Sequence, residues 1–140
     1  MDLLSMDAKT WNEYAEMAHL IVFNENRPAE LNRIDFAMIT DIDATPQCYM
    51  TCRELDSESV YMQYGGAFPS CKGTTKSFTS YEMFVTELAQ KYKRATTLIS
   101  NQNIPMLKFA MKIGLRVIGI RIFKNEVFLE LMVEFGGHDA

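Results

Sequence analysis

Residues 69–77 of the chain read Pro69-Ser70-Cys71-Lys72-Gly73-Thr74-Thr75-Lys76-Ser77 and stand between a strand-like and a helix-like stretch. The N–H groups of a helix's first turn lack intrahelical partners, and the helix dipole favours an anion at that end. A glycine lets the main chain approach a ligand closely, and lysines add charge-assisted contacts. The segment therefore predicts a phosphate-binding loop whose contacts are Lys72, Gly73, Thr74, Thr75, Lys76 and Ser77.

Three strand-like stretches precede this segment, at residues 34–41, 47–55 and 59–68. Turn-forming residues separate them, first at 43–46 (Asp-Ala-Thr-Pro) and then at 56–57 (Asp-Ser). Short connections join antiparallel strands, so the simplest interpretation is a three-stranded meander. Apolar residues at helical spacing predict an amphipathic helix at residues 8–22, and residues 24–32 read as a loop or a short second helix.

The residues that follow the loop predict a parallel crossover and a final hairpin. A helix with one apolar face reaches residue 92, and a β-branched strand covers residues 96–100. Asn103 and Pro105 favour the start of a further helix, which Gly114 ends. The stretch 116–123 leads through the turn Lys124-Asn125 into residues 126–135, in which the apolar residues from Val127 to Phe135 alternate strictly. The pair predicts a hairpin.

This order of elements, together with two motifs, resembles the GNAT superfamily of acyl-CoA-dependent N-acyltransferases. The pyrophosphate loop of that family often has a Pro, two further residues, an Arg or Lys with a Gly, and then alternating small residues. Pro69, Lys72 and Gly73 fall on that pattern, and Thr75 and Ser77 stand where Gly, and Gly or Ala, are usual. The second motif is an Asn followed eleven residues later by Gly, and Asn103 and Gly114 reproduce that spacing. The resemblance covers residues 8–135.

The resemblance implies an α+β fold with a mixed central sheet flanked by helices, in a single domain over residues 1–140. It also implies acetyl-CoA or another acyl-CoA as co-substrate and an unidentified amine as acceptor. Residues 72–77 would hold the pyrophosphate, and Asn103 would also contact the cofactor. A backbone N–H near Ala67, where the 59–68 strand splays from its neighbour, would bind the oxyanion.

Two positions depart from the family pattern. Thr75 replaces a glycine, which would strain the loop by about 1–3 kcal/mol if that position needs positive φ. Ala110, preceded by Phe109, stands where many members have the Tyr that protonates the departing thiolate. An alternative function is therefore a catalytically degenerate binding or assembly protein. Such GNAT-like domains are also encoded by tailed bacteriophages, some as head-assembly or internal virion proteins.

No catalytic base stands out in the sequence. Asp41, Asp43, Glu54 and Glu58 flank predicted turns, where solvated acids are the ordinary interpretation. Tyr61 and Tyr64 point to opposite faces of one strand, so at most one faces a cleft. Cys71 lies beside Lys72 in the predicted loop, and a nucleophilic role there is the less favoured hypothesis.

Composition bounds the remaining hypotheses. The chain has 140 residues, a net charge of −4 and three cysteines, which predicts an ordinary globular protein with unpaired thiols in a reducing cytoplasm. For a phage-encoded protein the location would be the host cytoplasm or the virion. No membrane span, metal site or nucleic-acid partner is expected. Residues 72–124 carry a charge of +8, which fits a polyanionic ligand or simply lysine-rich helix faces. The C-terminal hairpin offers an edge for homodimer pairing.

Overall fold

The computed structural model describes residues 1–14, 34–69, 71 and 74–135. Within these residues the chain forms seven strands and three helical segments. In chain order they are β1 (Asp2–Asp7), α1 (residues 8–14), β2 (Phe36–Ile42), β3 (Thr45–Glu54), β4 (Ser59–Ala67), α2 (Thr75–Ala89), β5 (Arg94–Ser100), α3 (Ile104–Lys112), β6 (Arg116–Phe123) and β7 (Glu126–Glu134).

The strands form one mixed sheet in the order β1-β2-β3-β4-β5-β7-β6. The pairs β1–β2, β2–β3, β5–β7 and β6–β7 are antiparallel, and β4 and β5 are parallel. A parallel pair needs a long crossover, which α2 supplies between β4 and β5. The prediction of an α+β fold with a meander, a crossover and a C-terminal hairpin is confirmed.

Strand β1 was not predicted. Its half-buried residues, Leu3 and Met6, are three positions apart, so the segment lacks the alternation that marks a strand in sequence. Pairing with β2 defines it instead, for example Leu4 opposite Ile39. Asp7 then caps the predicted first helix, because its Oδ1 accepts the N–H of Thr10 at 2.8 Å. The parts of that helix beyond residue 14, and the predicted loop or helix at 24–32, lie outside the described residues.

Two hairpin turns have the same backbone geometry. Asp43 and Ala44 have φ of 50° and 67°, and Lys124 and Asn125 have φ of 50° and 66°. Two consecutive positive φ values are those of a type I′ turn, which suits two-residue hairpin loops. Since the first turn uses only two residues, β3 begins at Thr45, earlier than the predicted residue 47.

The chain forms two compact units, Met1–Arg53 with Gln63–Phe84 and Glu54–Met62 with Val85–Ala140. The first is centred on an aromatic core in which the rings of Trp11 and Tyr49 are 5.0 Å apart. Buried side chains of the second include Leu88, Ala95 and Leu131. The single domain over residues 1–140 stays a prediction. None of the helices within the described ranges is long and apolar enough to cross a membrane.

Candidate functional site

The segment between β4 and α2 is attached to β3 in the first unit. The N–H of Phe68, one residue after β4, donates to the carbonyl of Gln47 at 2.8 Å. The Cys71 thiol donates to the same carbonyl at 2.6 Å, and its Sγ lies 3.4 Å from Sγ of Cys48. Both thiols are buried. Cys71 is therefore an anchor of the segment, and its burial does not suit the hypothesis of an exposed nucleophile.

A threonine closes the first turn of α2. Oγ1 of Thr74 donates to the Cys71 carbonyl at 2.6 Å and accepts the N–H of Lys76 at 3.2 Å. Thr75 and Lys76 are exposed. Thr75 is the first helical residue and does not have positive φ, so the strain considered for a non-glycine residue there does not arise. The first residues of the helix are exposed, and the Thr74 hydroxyl accepts one of the N–H groups of its first turn.

Two buried contacts fix α2 within the first unit. A Cβ added at Gly65 on β4 would lie 3.1 Å from Cε1 of Tyr81, so the glycine permits the close approach of that ring. Burial raises the pKa of Tyr81, which keeps its hydroxyl protonated. One residue earlier, Oγ of Ser80 lies 2.7 Å from Oγ1 of Thr40 on β2. These contacts determine where the first turn of α2 stands.

Sequence analysis missed the polar network around Ser80. Oγ1 of Thr40 also accepts the N–H of Cys48, at 3.2 Å. Burial raises the pKa of Cys48 to about 12; a hydrogen bond with Ser80 acts in the opposite direction, and Cys71 adds to the rise. A sequence signal did exist: Ser80 stands one and two helical turns before the buried Phe84 and Leu88, so a polar residue falls on the apolar stripe.

In the second unit, the parallel pairing of β4 with β5 is short. It joins Ser59–Met62 to Arg94–Thr97 and ends there, well before the end of β4. At the end of the register, Oγ1 of Thr97 donates to the Met62 carbonyl at 2.9 Å. Pairing with β5 therefore does not extend to Ala67, the last residue of β4.

Asn103 caps α3 in the second unit. Its Oδ1 accepts the N–H of Met106 at 3.4 Å, Pro105 lies in the first turn, and Gly114 follows the helix with φ of 106°. The predicted start and end of this helix are confirmed. Ala110 and Phe109 are both buried, with 4% and 8% of their surface exposed. Neither side chain has a transferable proton.

The predicted turn acids are partly engaged with neighbouring side chains. Glu54 accepts the hydroxyl of Tyr92 at 2.8 Å, and Glu58 forms ion pairs with Lys93 and Arg94, each at 3.7 Å. Asp43 is an exposed turn residue. Oδ1 of Asp41 is buried without a hydrogen-bond partner among the described residues. These arrangements single out no catalytic base.

Ion pairs also offset part of the basic surplus of residues 72–124. Arg116 pairs with Glu134 and Arg121 with Glu130, two acids beyond residue 124, at 3.2 and 3.4 Å. Lys91 pairs with Glu87 at 3.8 Å within the segment, where both charges are already counted. Among the described residues no group of three or more His, Cys, Asp or Glu side chains could hold a metal ion.

Solved structures of acetyltransferases share this architecture. A GNAT family acetyltransferase from Elizabethkingia anophelis with acetyl-CoA bound is similar with a TM-score of 0.73 and 14% identity, over 95% of this chain and 97% of that chain. The chain has the GNAT fold.

Two further GNAT-fold structures extend the comparison. The ribosomal-protein-S18-alanine N-acetyltransferase of Escherichia coli is similar with a TM-score of 0.77 and 9% identity, over 96% of this chain and 93% of that chain. An IAA acetyltransferase from Bacillus cereus has a TM-score of 0.70 and 10% identity, over 95% and 98% of the two chains. No family model and no curated protein matches the sequence. These likenesses establish the fold.

The predicted site residues are distributed as follows within this GNAT fold. Ala67, Thr74, Thr75, Lys76 and Ser77 lie in the first unit, at the end of β4 and the start of α2, and Asn103 lies in the second unit. Lys72 and Gly73 lie outside the described residues. Cofactor binding by these eight residues stays a prediction.

Proposed function

We propose that the protein is an acyl-CoA-dependent N-acyltransferase that transfers an acetyl or other acyl group to an amine. The observation that supports this proposal most is the similarity of the whole fold to a GNAT acetyltransferase with acetyl-CoA bound. Thr75 and Lys76, exposed at the start of α2, are consistent with an anion-binding end.

In this proposal the pyrophosphate of CoA binds at residues 72–77. Lys72 and Lys76 contribute positive charge, and N–H groups of the first turn of α2 donate to the phosphate oxygens. In the unliganded protein the Thr74 hydroxyl accepts the Lys76 N–H. When CoA binds, a phosphate oxygen replaces the hydroxyl as the acceptor. The N–H near Ala67 donates to the thioester oxygen.

The transfer requires two proton movements. The nitrogen of a neutral amine attacks the thioester carbonyl, the C–S bond breaks, and the amine gives up a proton. A lysine-type amine has a pKa near 10.4, so a base or water must remove a proton first. With buried Ala110 and Phe109 at the family's acid position, the thiolate leaves unassisted. A positioned acid contributes about 10²–10⁴-fold, so we expect slow turnover.

Thermal unfolding with CoA, acetyl-CoA and ATP tests the site. A ligand at a hundred times its Kd stabilises by about 2.7 kcal/mol, and ATP controls for general polyanion binding. The variant Lys72→Glu/Lys76→Glu should lose CoA stabilisation while the unliganded protein unfolds almost unchanged. Lys108→Glu/Lys112→Glu, an equal charge change at exposed positions of α3, is the matched control. Full CoA binding by the loop variant would contradict the site assignment.

Ala110 and Phe109 have no transferable proton, which favours a second candidate: a GNAT-fold binding or assembly protein without turnover, for example a phage head-assembly or internal virion component. A screen of amine acceptors separates the two. Release of free CoA thiol that depends on an added amine supports the enzyme. If CoA binds but no primary amine causes release of free CoA thiol, the binding protein is supported. If neither CoA nor acetyl-CoA stabilises the protein, the proposed cofactor site is contradicted.

A further inference from the structure

Strand β6 exposes an unusual amount of apolar surface. It is the last strand of the sheet and pairs with β7 on one side. Half of the large hydrophobic side chains that are exposed within the described ranges belong to it. The most exposed are Ile120, Ile122 and Phe123, with 66%, 73% and 64% of their surface accessible. Such a concentration marks an interaction surface.

The edge of β6 is only partly protected against pairing with another strand. Proteins usually shield such an edge with prolines, inward charges, short strands or bulges. Strand β6 has eight residues and no proline, and its register with β7 shifts once, between Val117 and Gly119. The residues Gly119–Phe123 beyond that irregularity are regularly paired with β7, and none of the other strands in the described ranges pairs with their outer edge.

One face of this regular segment carries a charge pair beside a glycine. Gly119 is opposite Glu130 on β7, and a Cβ added at Gly119 would lie 3.1 Å from Oε1 of Glu130. The carboxylate therefore leans over the glycine towards the strand edge. Arg121 follows on the same face, with Nη2 3.4 Å from Oε2 of Glu130 and more than half of its side chain exposed.

We propose that a second copy of this chain pairs with β6 edge to edge, antiparallel, about a two-fold axis at Ile120. The β5-β7-β6 part of the sheet then continues into the same strands of the second copy. Ile120 stands opposite its own counterpart, and Arg121 stands opposite Gly119 of the other copy. This proposal is independent of the proposed activity.

Charge complementarity favours a second copy as the occupant and Ile120 as the centre of the pairing. Pairing centred on Arg121 would set two arginines directly opposite each other, which is destabilising. Pairing centred on Ile120 instead places Arg121 opposite Gly119 of the other copy, which has no side chain. Glu130 of that copy then lies one strand further on, on the same face. Neighbouring strands are about 4.8 Å apart, so an extended arginine and the leaning carboxylate meet across one strand. The same contact forms twice, as a two-fold interface requires.

Sedimentation velocity at increasing concentrations gives the first test. We expect a dimer, and Ile120→Lys should weaken it by about 100-fold or more because an unpaired charge enters the interface. Leu4→Lys is the matched control: Leu4 is 52% exposed on β1, the opposite edge strand, and its variant should still dimerise. A monomeric parent protein, or a dimer unaffected by Ile120→Lys, would overturn the proposal.

Complementary charge reversals give the second test. Arg121→Glu and Glu130→Arg should each weaken self-association, since like charges then meet across the interface. Mixed in equal amounts and carrying different tags, the two variants should form heterodimers. The ion pair between residues 121 and 130 of the same chain is broken in both variants and remains broken in the mixture. Recovered association therefore reports only contacts between copies. If the mixture fails to associate, the proposed register is wrong. If the parent dimerises and each single variant dimerises equally well, this charge contact is excluded.

Discussion

Helices α2 and α3 begin in similar ways and are fixed by different means. Each follows a strand, and each has a polar side chain that accepts an N–H of its first turn. The start of α3 depends on neighbours in sequence: the Asn103 cap, Pro105 and then Gly114. The start of α2 depends on distant residues, because Cys71 is held by the carbonyl of Gln47. The helix end proposed to bind phosphate is therefore the one that tertiary contacts position.

Alkaline pH should weaken the tertiary attachment of the segment before α2. Burial raises the pKa of Cys48 from 9.0 to about 12, so between these values the folded chain holds a proton that the unfolded chain has released. The contribution to stability is complete below about pH 9 and falls by up to about 1.4 kcal/mol per pH unit as pH rises towards 12.

Urea unfolding at several pH values measures this effect in the parent and in Cys48→Ala. Other groups titrate in both proteins, so the difference between the two slopes isolates the thiol. Identical slopes would mean that Cys48 is not buried against Cys71 as the structure has it.

Gly65→Ala should loosen the contact between α2 and β4. The new Cβ would lie 3.1 Å from Cε1 of Tyr81 and 3.5 Å from the carbonyl oxygen of Tyr49, so we expect a loss of about 1–3 kcal/mol. Gly119→Ala in the Ile120→Lys background is the control, because there the nearest atom is the end of a flexible glutamate and association does not contribute. The control should change stability by less than about 0.5 kcal/mol. Equal losses would contradict a tight α2–β4 contact.

Removal of the Ser80 hydroxyl should lower the free energy of unfolding by less than Gly65→Ala does. Ser80→Ala breaks the buried bond to Thr40, and a net hydrogen bond contributes about 0.5–1.5 kcal/mol. Thr40→Val should cost more, since the N–H of Cys48 also loses its acceptor. Equilibrium unfolding of both single variants and the double variant gives their coupling, and additive losses would show that the two hydroxyls do not interact.

The cap of α3 should give the smallest effect. Asn103→Ala removes an acceptor 3.4 Å from the Met106 N–H, so we expect a loss of about 0.5–1 kcal/mol, at the low end for caps. Asn103→Asp retains a capping oxygen and should unfold like the parent, while its negative charge should weaken CoA binding if Asn103 contacts the cofactor. Gln102→Ala, an exposed neighbour, serves as the control. Unchanged stability of Asn103→Ala would show that the cap does not stabilise α3.

Much of the fold was predictable because its signals are local. Alternation at Val127, Leu129 and Leu131 indicated β7, and the Lys124-Asn125 turn indicated its hairpin with β6. Strand β1 was not predictable, because its residues show no alternation and only pairing with β2 makes it a strand. The Cys48–Cys71 contact was missed for a related reason: residues 23 positions apart in sequence meet only when β3 and the loop fold together.

The sequence by itself determined the order of the strands and helices from β2 to β7, the hairpin turns and the ends of α3, since capping, turn geometry and side-chain periodicity act over a few residues. It also indicated where an anion could bind, through the lysines and hydroxyls around Gly73. Only the tertiary structure decided that β1 joins the sheet, that Thr75 lies in a helix without strain, and that Cys71 and Gly65 position α2. The physical reason is that close packing and buried hydrogen bonds depend on atoms brought together from distant parts of the chain.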